Sequence, residues 1–217
     1  MCSVFDLNYG RHLPKDHRAR ILDIGCGSGL MLAFLESKGY MNFLGVDIDA
    51  DVLSQVPSHL QDRTMQITDL STFLRERDGS FDLILAKDVL YYISRHEAAQ
   101  RMWEIAEAIR PGGGIVVEVF NGAVLTAAYT AAKDVGILTI YTEQSIRSLL
   151  ESAGLHVTEV YGQQSGKGGV LRPLYNLSAG FWKLMLRLIY VLERGIDPNN
   201  PKILEKSLLA VAYKTVG

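Results

Sequence analysis

The chain has 217 residues, a length that suits one domain with a sizeable buried core. Hydrophobic residues make up 48% and charged residues 21%, and the formal net charge of −2 argues against a nucleic-acid partner. The two cysteines do not suggest a disulfide framework, and the first residues lack the order of a signal peptide. No uncharged apolar run approaches the ~20 residues of a membrane helix. We therefore expect a cytoplasmic protein without a transmembrane segment.

Segments typical of strands and helices alternate along most of the chain. The predicted strands are Arg20–Ile24, Asn42–Ile48, Thr64–Thr68, Phe81–Ala86, Ile115–Phe120, Leu155–Tyr161 and Leu208–Tyr213. Helical spacing and capping residues predict helices over Leu30–Lys38, Ser94–Arg110 and Thr142–Ala153. Such alternation predicts an α/β fold, a parallel sheet with helices on both faces, in a single domain of residues 1–217.

Two stretches interrupt this alternation. Residues 121–141 follow the fifth strand and are predicted to form a lid over the substrate. Residues 162–206 separate the last two strands and are predicted to be a helical insertion, because they are too long for a turn. Within the insertion, residues 181–192 are nearly all apolar except for two cations. Packing on the core, a homodimer or partner interface, and peripheral membrane contact are all compatible with this pattern.

The clearest chemical signal is a glycine-rich run, Asp23-Ile24-Gly25-Cys26-Gly27-Ser28-Gly29, between the first strand and its helix. Glycines let a ligand lie on the backbone, and the helix N-terminus favours an anionic group. A Walker loop would need Lys where Leu30 stands. The Gly-x-Gly-x-Gly spacing makes a dinucleotide the weaker interpretation. S-adenosylmethionine (SAM), whose carboxylate suits the helix N-terminus, is the remaining candidate.

An aspartate ends the second predicted strand. Asp47 follows Gly45-Val46, so its carboxylate lies beside the glycine-rich loop and suits the two hydroxyls of a ribose. The alternative role is a helix N-cap, which we favour for Asp49 and Asp51. The histidines have no partners at metal-ligand spacing, so we predict no metal site.

Together these motifs resemble those of class I SAM-dependent methyltransferases. The resemblance is carried from about Tyr9 to Tyr161 by Asp23–Gly29, Asp47, Asp69-Leu70, Phe81–Ile93 and Arg110–Gly113. It implies a Rossmann-like, seven-stranded, mostly parallel sheet whose last strand is antiparallel. More narrowly, the chain resembles bacterial methyltransferases of surface-polysaccharide and lipopolysaccharide synthesis, through Tyr9-Gly10-Arg11, Thr142–Gly154 and the tail Leu171–Lys214.

The resemblance also implies roles for individual residues. The backbone of the glycines would contact the methionine part of SAM. Asp47 would bind the ribose, and Asp69 and Leu70 would contact the adenine. Lys87 and Asp88 would face the methionine end and the substrate. The predicted cofactor-binding residues are Asp23, Gly25, Cys26, Gly27, Gly29, Asp47, Ile48, Asp69, Leu70 and Lys87.

The acceptor site departs from the narrower family at two places. Tyr91-Tyr92 stand where relatives carry Glu-His, and Asp134-Val135-Gly136-Ile137 lacks their histidine. The predicted catalytic residues are therefore Asp88, Tyr92 and Asp134. We expect methyl transfer to an oxygen of a sugar or glycan intermediate. The alternatives are another small-molecule acceptor, a non-catalytic SAM-binding or assembly protein, and an NAD-dependent reductase, against which Pro111-Gly112-Gly113 speaks.

Overall fold

The structure, a computed structural model, describes residues 2–164 and 172–216. The strands of these residues are β1 Ile21–Ile24, β2 Phe43–Asp47, β3 Thr64–Gln66, β4 Phe81–Lys87, β5 Ile109–Phe120, β6 Leu155–Gly162 and β7 Ser207–Lys214. The α-helices are α1 Cys2–Asn8, α2 Leu30–Ser37, α3 Ala50–Leu53, α4 Leu70–Leu74, α5 Ala98–Ala108, α6 Ala127–Lys133, α7 Glu143–Ser152 and α8 Arg172–Arg194.

The strands form a seven-stranded sheet in the order β3-β2-β1-β4-β5-β7-β6. Strands β1 to β5 pair in parallel, whereas β7 pairs antiparallel with both β5 and β6. The predicted Rossmann-like fold with an antiparallel last strand is confirmed. The chain leaves the sheet centre in one direction from β1 and in the other from β4, so the carboxyl ends of these two strands flank a crevice.

The core lies on both faces of the sheet because apolar side chains of the central strands alternate between the two faces. Leu22 and Ile84 pack into the cluster on one face, whereas Ile21 and Leu83, their neighbours along the chain, pack into the cluster on the other. All four side chains are almost completely buried. Each such burial contributes about 1.5–3 kcal/mol, so the sheet centre is a rigid base for the loops at its edge.

The helix predicted over Ser94–Arg110 is shorter at both ends in the structure. Ser94 donates to Glu97 in a turn that precedes α5. Helix α5 ends at Ala108, because Ile109 already pairs with Phe81 in the sheet. The Pro-Gly-Gly segment that follows forms an irregularity within β5 rather than a separate turn before it. Regular pairing resumes at Gly114.

The two stretches outside the regular alternation contain helices. Residues 121–141 include α6, and their ends are joined by a bridge between Asn121 and Tyr141 and by a 2.7 Å hydrogen bond from the Gly122 amide to the Tyr141 carbonyl. Residues 162–206 contain the 23-residue helix α8, while residues 165–171 of this predicted insertion lie outside the described residues. Among the residues that the structure describes, none of the helices combines the length and hydropathy that a bilayer span requires.

Candidate functional site

A cavity of about 670 Å³ opens at the carboxyl ends of β1, β2 and β4. Most of the residues predicted to bind SAM line it: Asp23, Gly25, Cys26, Gly27, Asp47, Ile48, Leu70 and Lys87. Gly29 and Asp69 are not among the lining residues. Of the predicted catalytic residues, Asp88 and Tyr92 line the cavity and Asp134 does not. The structure therefore brings together residues that lie far apart in the sequence.

The glycine-rich loop lies against β2 and folds in a conformation that only glycine adopts easily. Gly25 and Cys26 donate to the carbonyl of Val46 at 2.8 and 3.1 Å. Gly25 has a φ of 70°, and a Cβ at this position would lie 2.9 Å from a methyl carbon of Val89. The backbone of the loop consequently borders the cavity without a side chain in between.

Asp47 joins the end of β2 to this loop. One carboxylate oxygen accepts from the Gly27 amide at 2.9 Å, and the other accepts from the Asp49 amide at 3.1 Å. Asp49 caps α3 by accepting from the amides of Asp51 and Val52, so the favoured capping role of Asp49 is confirmed. The Asp47 carboxylate thus holds the loop and borders the cavity at once.

Asp69 is the N-cap of α4. Its carboxylate accepts from the amide of Thr72 at 2.7 Å, and Arg101 lies 3.5 Å from its other oxygen. The backbone and side-chain hydrogen bonds from Thr72 lower the pKa of Asp69. Leu70 and Arg101 line the cavity beside it. Asp69 therefore acts as a helix cap in the structure, and its contact with adenine stays a prediction.

A cluster of charged side chains occupies the floor of the cavity. Asp23, from β1, is 2% exposed, and burial raises its pKa to about 8. Lys87, at the end of β4, forms an ion pair with Asp88. Burial lowers the pKa of Lys87, but the nearby Glu118 and Asp88 carboxylates outweigh burial and raise it. Three carboxylates thus surround one lysine.

Asp88 has two unusual properties. Its φ of 56° lies in the left-handed region, which is uncommon for residues other than glycine. One of its carboxylate oxygens, Oδ1, is buried and has no hydrogen-bond partner in the described structure. Strained backbone and unpaired buried acceptors concentrate at functional sites. The side chain of Asp88 is 32% exposed and lines the cavity, so it is the most accessible carboxylate of this cluster.

Glu118, which lies within β5, was not predicted to be a site residue. It is 1% exposed, and its carboxylate accepts from the hydroxyl of Tyr9 and from the side chain of Gln163. Burial raises the pKa of Glu118. The sequence does contain one sign of its role, because Glu118 is the single acidic residue within the apolar run Ile115–Phe120. It pointed to a buried polar contact, because a central strand rarely contains an unpaired charge.

The two tyrosines after β4 have different environments. Tyr91 is 5% exposed and stacks on Phe120 with ring centroids 4.6 Å apart, so it belongs to the core. Tyr92 is 46% exposed and lines the cavity. Its hydroxyl donates to Asp134 at 2.9 Å. Asp134 therefore reaches the site through Tyr92.

Cys26 fills space beside β2. The side chain is buried, and a Cβ on Gly45 would lie 2.7 Å from its sulfur. Burial raises the pKa of the thiol to about 12, so Cys26 stays protonated at neutral pH. Within the described part of the chain, no three histidine, cysteine or carboxylate side chains are grouped to hold a metal ion.

The sequence is similar to those of known methyltransferases. The ubiquinone biosynthesis O-methyltransferase of Bradyrhizobium sp. (strain ORS 278) is 31% identical over 122 residues, covering 55% of this chain and 47% of that protein. The human mitochondrial enzyme of the same name is 24% identical over 181 residues, or 75% of this chain and 46% of that protein. The chain thus spans about half the length of these curated relatives. Their names refer to ubiquinone and not to a surface polysaccharide, so the narrower resemblance gains no support.

The solved structures show the same fold. A SAM-dependent methyltransferase from Archaeoglobus fulgidus superposes with a TM-score of 0.69 at 16% identity, covering 99% of this chain and 95% of that one. Residues 7–160 match the protein family described as "Methyltransferase domain". This match includes the glycine-rich loop, Asp47 and the charged cluster. The chain therefore belongs to the methyltransferase-domain family and has the fold of SAM-dependent methyltransferases.

Proposed function

We propose that this chain transfers the methyl group of SAM to an oxygen atom of a small organic acceptor. The observation that carries the proposal is the charge of the cavity floor. Asp23, Asp88 and Lys87 line the cavity, and the Glu118 carboxylate acts on Lys87 without lining it, so the cluster has a surplus of negative charge when its carboxylates are ionised. SAM carries an ammonium and a sulfonium group, and such a cation offsets this surplus. The residues present therefore fit the cofactor.

The other cavity residues suit the remaining parts of SAM. The glycine-rich loop and the start of α2 would hold the methionine carboxylate, because backbone amides at a helix N-terminus favour an anion. Asp47 would accept from the ribose hydroxyls. Ile48 and Leu70, which line the cavity, would enclose the adenine ring. Asp69 would act indirectly, by holding the N-terminus of α4 beside that ring.

The acceptor would bind between Asp88 and Tyr92. When bound, SAM supplies an electrophilic methyl carbon. Asp88, which lines the cavity, would accept the proton of the attacking hydroxyl, a contribution of about 10²–10⁴-fold. Tyr92, held by Asp134, would position the acceptor. Residues 121–141, whose ends meet at Asn121 and Tyr141, would cover it as a lid.

The apolar side chains at the mouth favour a flat acceptor. Val89, Ile93 and Tyr92 line the cavity there. The curated relatives are named for O-methylation in ubiquinone biosynthesis, so we propose a ring hydroxyl as the leading acceptor. A sugar or glycan hydroxyl is the second candidate, and the polar Tyr92–Asp134 pair at the mouth favours it.

Transfer from methyl-labelled SAM tests the proposal. The purified chain is incubated with catechols and phenols and, separately, with nucleotide sugars and glycan fragments, and labelled products are identified by mass spectrometry. We expect a singly methylated ring hydroxyl. Asp88→Asn should lower kcat by about 10²–10⁴-fold, a larger effect than its loss of one negative charge has on SAM affinity. Tyr91→Phe is the matched control in the core and should retain most of the activity.

Two results would contradict the proposal. Binding of SAM without transfer to any acceptor would favour the non-catalytic SAM-binding or assembly protein. An unchanged kcat for Asp88→Asn would show that Asp88 does not accept the proton.

A further inference from the structure

Helix α8 presents its apolar side chains to the solvent. With 100° per residue, Ala179, Lys183, Leu186 and Tyr190 share one face, and these are the side chains that turn towards the protein. Lys183 pairs with Glu205, and the Tyr190 hydroxyl donates to the Ala123 carbonyl at 2.7 Å. Leu186 is 1% exposed. The helix is therefore fastened to the domain by one side only.

The opposite side, which we call the outer face, is apolar along four turns. Its exposed side chains are Leu177, Phe181, Leu184, Met185, Leu188, Val191 and Leu192. A surface helix of a globular protein normally has the reverse arrangement, with its apolar stripe turned to the core. An exposed apolar surface of this extent marks an interaction site.

The charges beside the outer face identify its partner. Residues 177–192 contain two cations, Lys183 and Arg187, and no carboxylate. Lys183 is engaged with Glu205, whereas Arg187 is exposed and none of the described carboxylates pairs with it. Helices that pair in two copies often form salt bridges along their seam. The nearest carboxylate of α8 is Glu193, which at 100° per residue falls on the side of Leu186, away from the outer face, so the outer face of a second copy would offer Arg187 no opposite charge. An anionic surface would supply one.

A second element with exposed apolar side chains is joined to this helix. The Tyr190–Ala123 hydrogen bond connects α8 to residues 121–141. That segment exposes Tyr129, Val135 and Leu138, which are 72%, 96% and 59% accessible. Trp182, which is 51% exposed, lies beside the outer face. Indole rings favour the boundary between lipid and water.

We propose that the outer face of α8 binds the surface of an anionic lipid bilayer. The apolar side chains would enter the acyl boundary, and Arg187 would contact lipid phosphates. The helix lies in the plane of the surface and does not cross it.

Sedimentation with lipid vesicles tests this proposal. The intact chain is mixed with vesicles of phosphatidylcholine alone or with added phosphatidylglycerol at an ionic strength of ~0.15 M, without SAM or acceptor. We expect binding to the anionic vesicles and much weaker binding to the neutral ones. The double variant Leu184→Asp/Leu188→Asp should bind the anionic vesicles at least about tenfold more weakly than the parent. Arg187→Glu should bind anionic and neutral vesicles equally. Met41→Asp, at an exposed apolar residue remote from α8 in sequence, is the control and should bind like the parent.

A fluorescence measurement shows whether the helix itself meets the lipid. The chain has two tryptophans, so Trp103→Phe leaves Trp182 as the only one. Its emission should shift to the blue when anionic vesicles are added. The absence of binding to anionic vesicles, or equal binding by the parent and the double variant, would overturn the proposal. A dimer in lipid-free solution that the double variant abolishes, without vesicle binding, would assign the outer face to a second copy and also overturn it. Because no cofactor is present, these outcomes are independent of the proposed methyl transfer.

Discussion

At the scale of single residues, the site is built from acids whose environments differ. Asp47 and Asp69 accept hydrogen bonds from backbone amides, whereas Asp23 is enclosed by the core with only Lys87 nearby to offset its charge. An ionised carboxylate at Asp23 is therefore disfavoured in the absence of a cation. We infer that the domain gives up some stability to keep a carboxylate where a cationic ligand needs it.

The pH dependence of unfolding tests this role of Asp23. Its pKa is about 8 in the folded protein, above the ordinary value of 3.8. The folded state therefore binds more protons than the unfolded state between these values, and Asp23 lowers the free energy of unfolding as the pH rises from 4 to 8. Asp23→Asn removes this loss, so the melting temperature of the variant should exceed that of the parent by a margin that widens over this range.

The same variant should bind SAM at least about tenfold more weakly at pH 8. Asp62→Asn is the control, because Asp62 is exposed. The difference in melting temperature between this variant and the parent should not change with pH. If the difference in melting temperature between Asp23→Asn and the parent stays constant from pH 4 to 8, Asp23 is ionised in the folded protein over that whole range.

At the scale of elements, the glycine-rich loop and the helix caps depend on backbone conformation. Gly25 and Gly154 both have positive φ, 70° and 79°. A Cβ at Gly25 would meet Val89 at 2.9 Å, whereas one at Gly154 would have no atom within 4 Å. Both glycines therefore have a left-handed backbone, but only at Gly25 would an added side chain collide with a neighbour.

Alanine substitutions at these glycines separate the two effects. Gly154→Ala should lower the free energy of unfolding by about 1–2 kcal/mol, the cost of the left-handed conformation. Gly25→Ala should cost more in chemical denaturation and should also weaken SAM binding, because Val89 must move into the cavity. If Gly25→Ala and Gly154→Ala lose the same stability and Gly25→Ala binds SAM as tightly as the parent, the glycine-rich loop does not contact the ligand.

The sequence predicted the elements whose signals are local. Thr142 accepts from the Ser145 amide as the predicted N-cap of α7, and Gly154 follows that helix in a left-handed conformation. The end of α5 was wrong by two residues, because pairing of Ile109 with Phe81 overrides the local helical preference. Such pairing depends on residues that are distant in the sequence.

The candidate site was predictable where motifs are contiguous. The glycine-rich loop and Asp47 line the cavity as expected, but the interaction of Tyr9 with Glu118 joins residues more than a hundred positions apart. No spacing rule connects them. Asp69 could be assigned to a cap only when Thr72 and Arg101 were seen beside it.

At the scale of the whole molecule, the sheet brings three strand ends to one crevice, and every part of the proposed chemistry depends on that convergence. Strands β1 and β4 are neighbours although about sixty residues separate them, so Asp23, Lys87 and Asp88 meet beside the glycine-rich loop. The segment 121–141 contacts this crevice through the hydrogen bond between Tyr92 and Asp134. We propose that SAM binds in this crevice.

Calorimetric titration of the purified chain with SAM, its demethylated product and NAD tests whether SAM binds there. We expect SAM and its product to bind and NAD not to bind, and we expect Asp47→Ala to weaken both interactions by about tenfold or more. Binding of NAD, or SAM affinity of Asp47→Ala within about twofold of the parent, would contradict the placement of the cofactor over Gly25–Gly29 and Asp47.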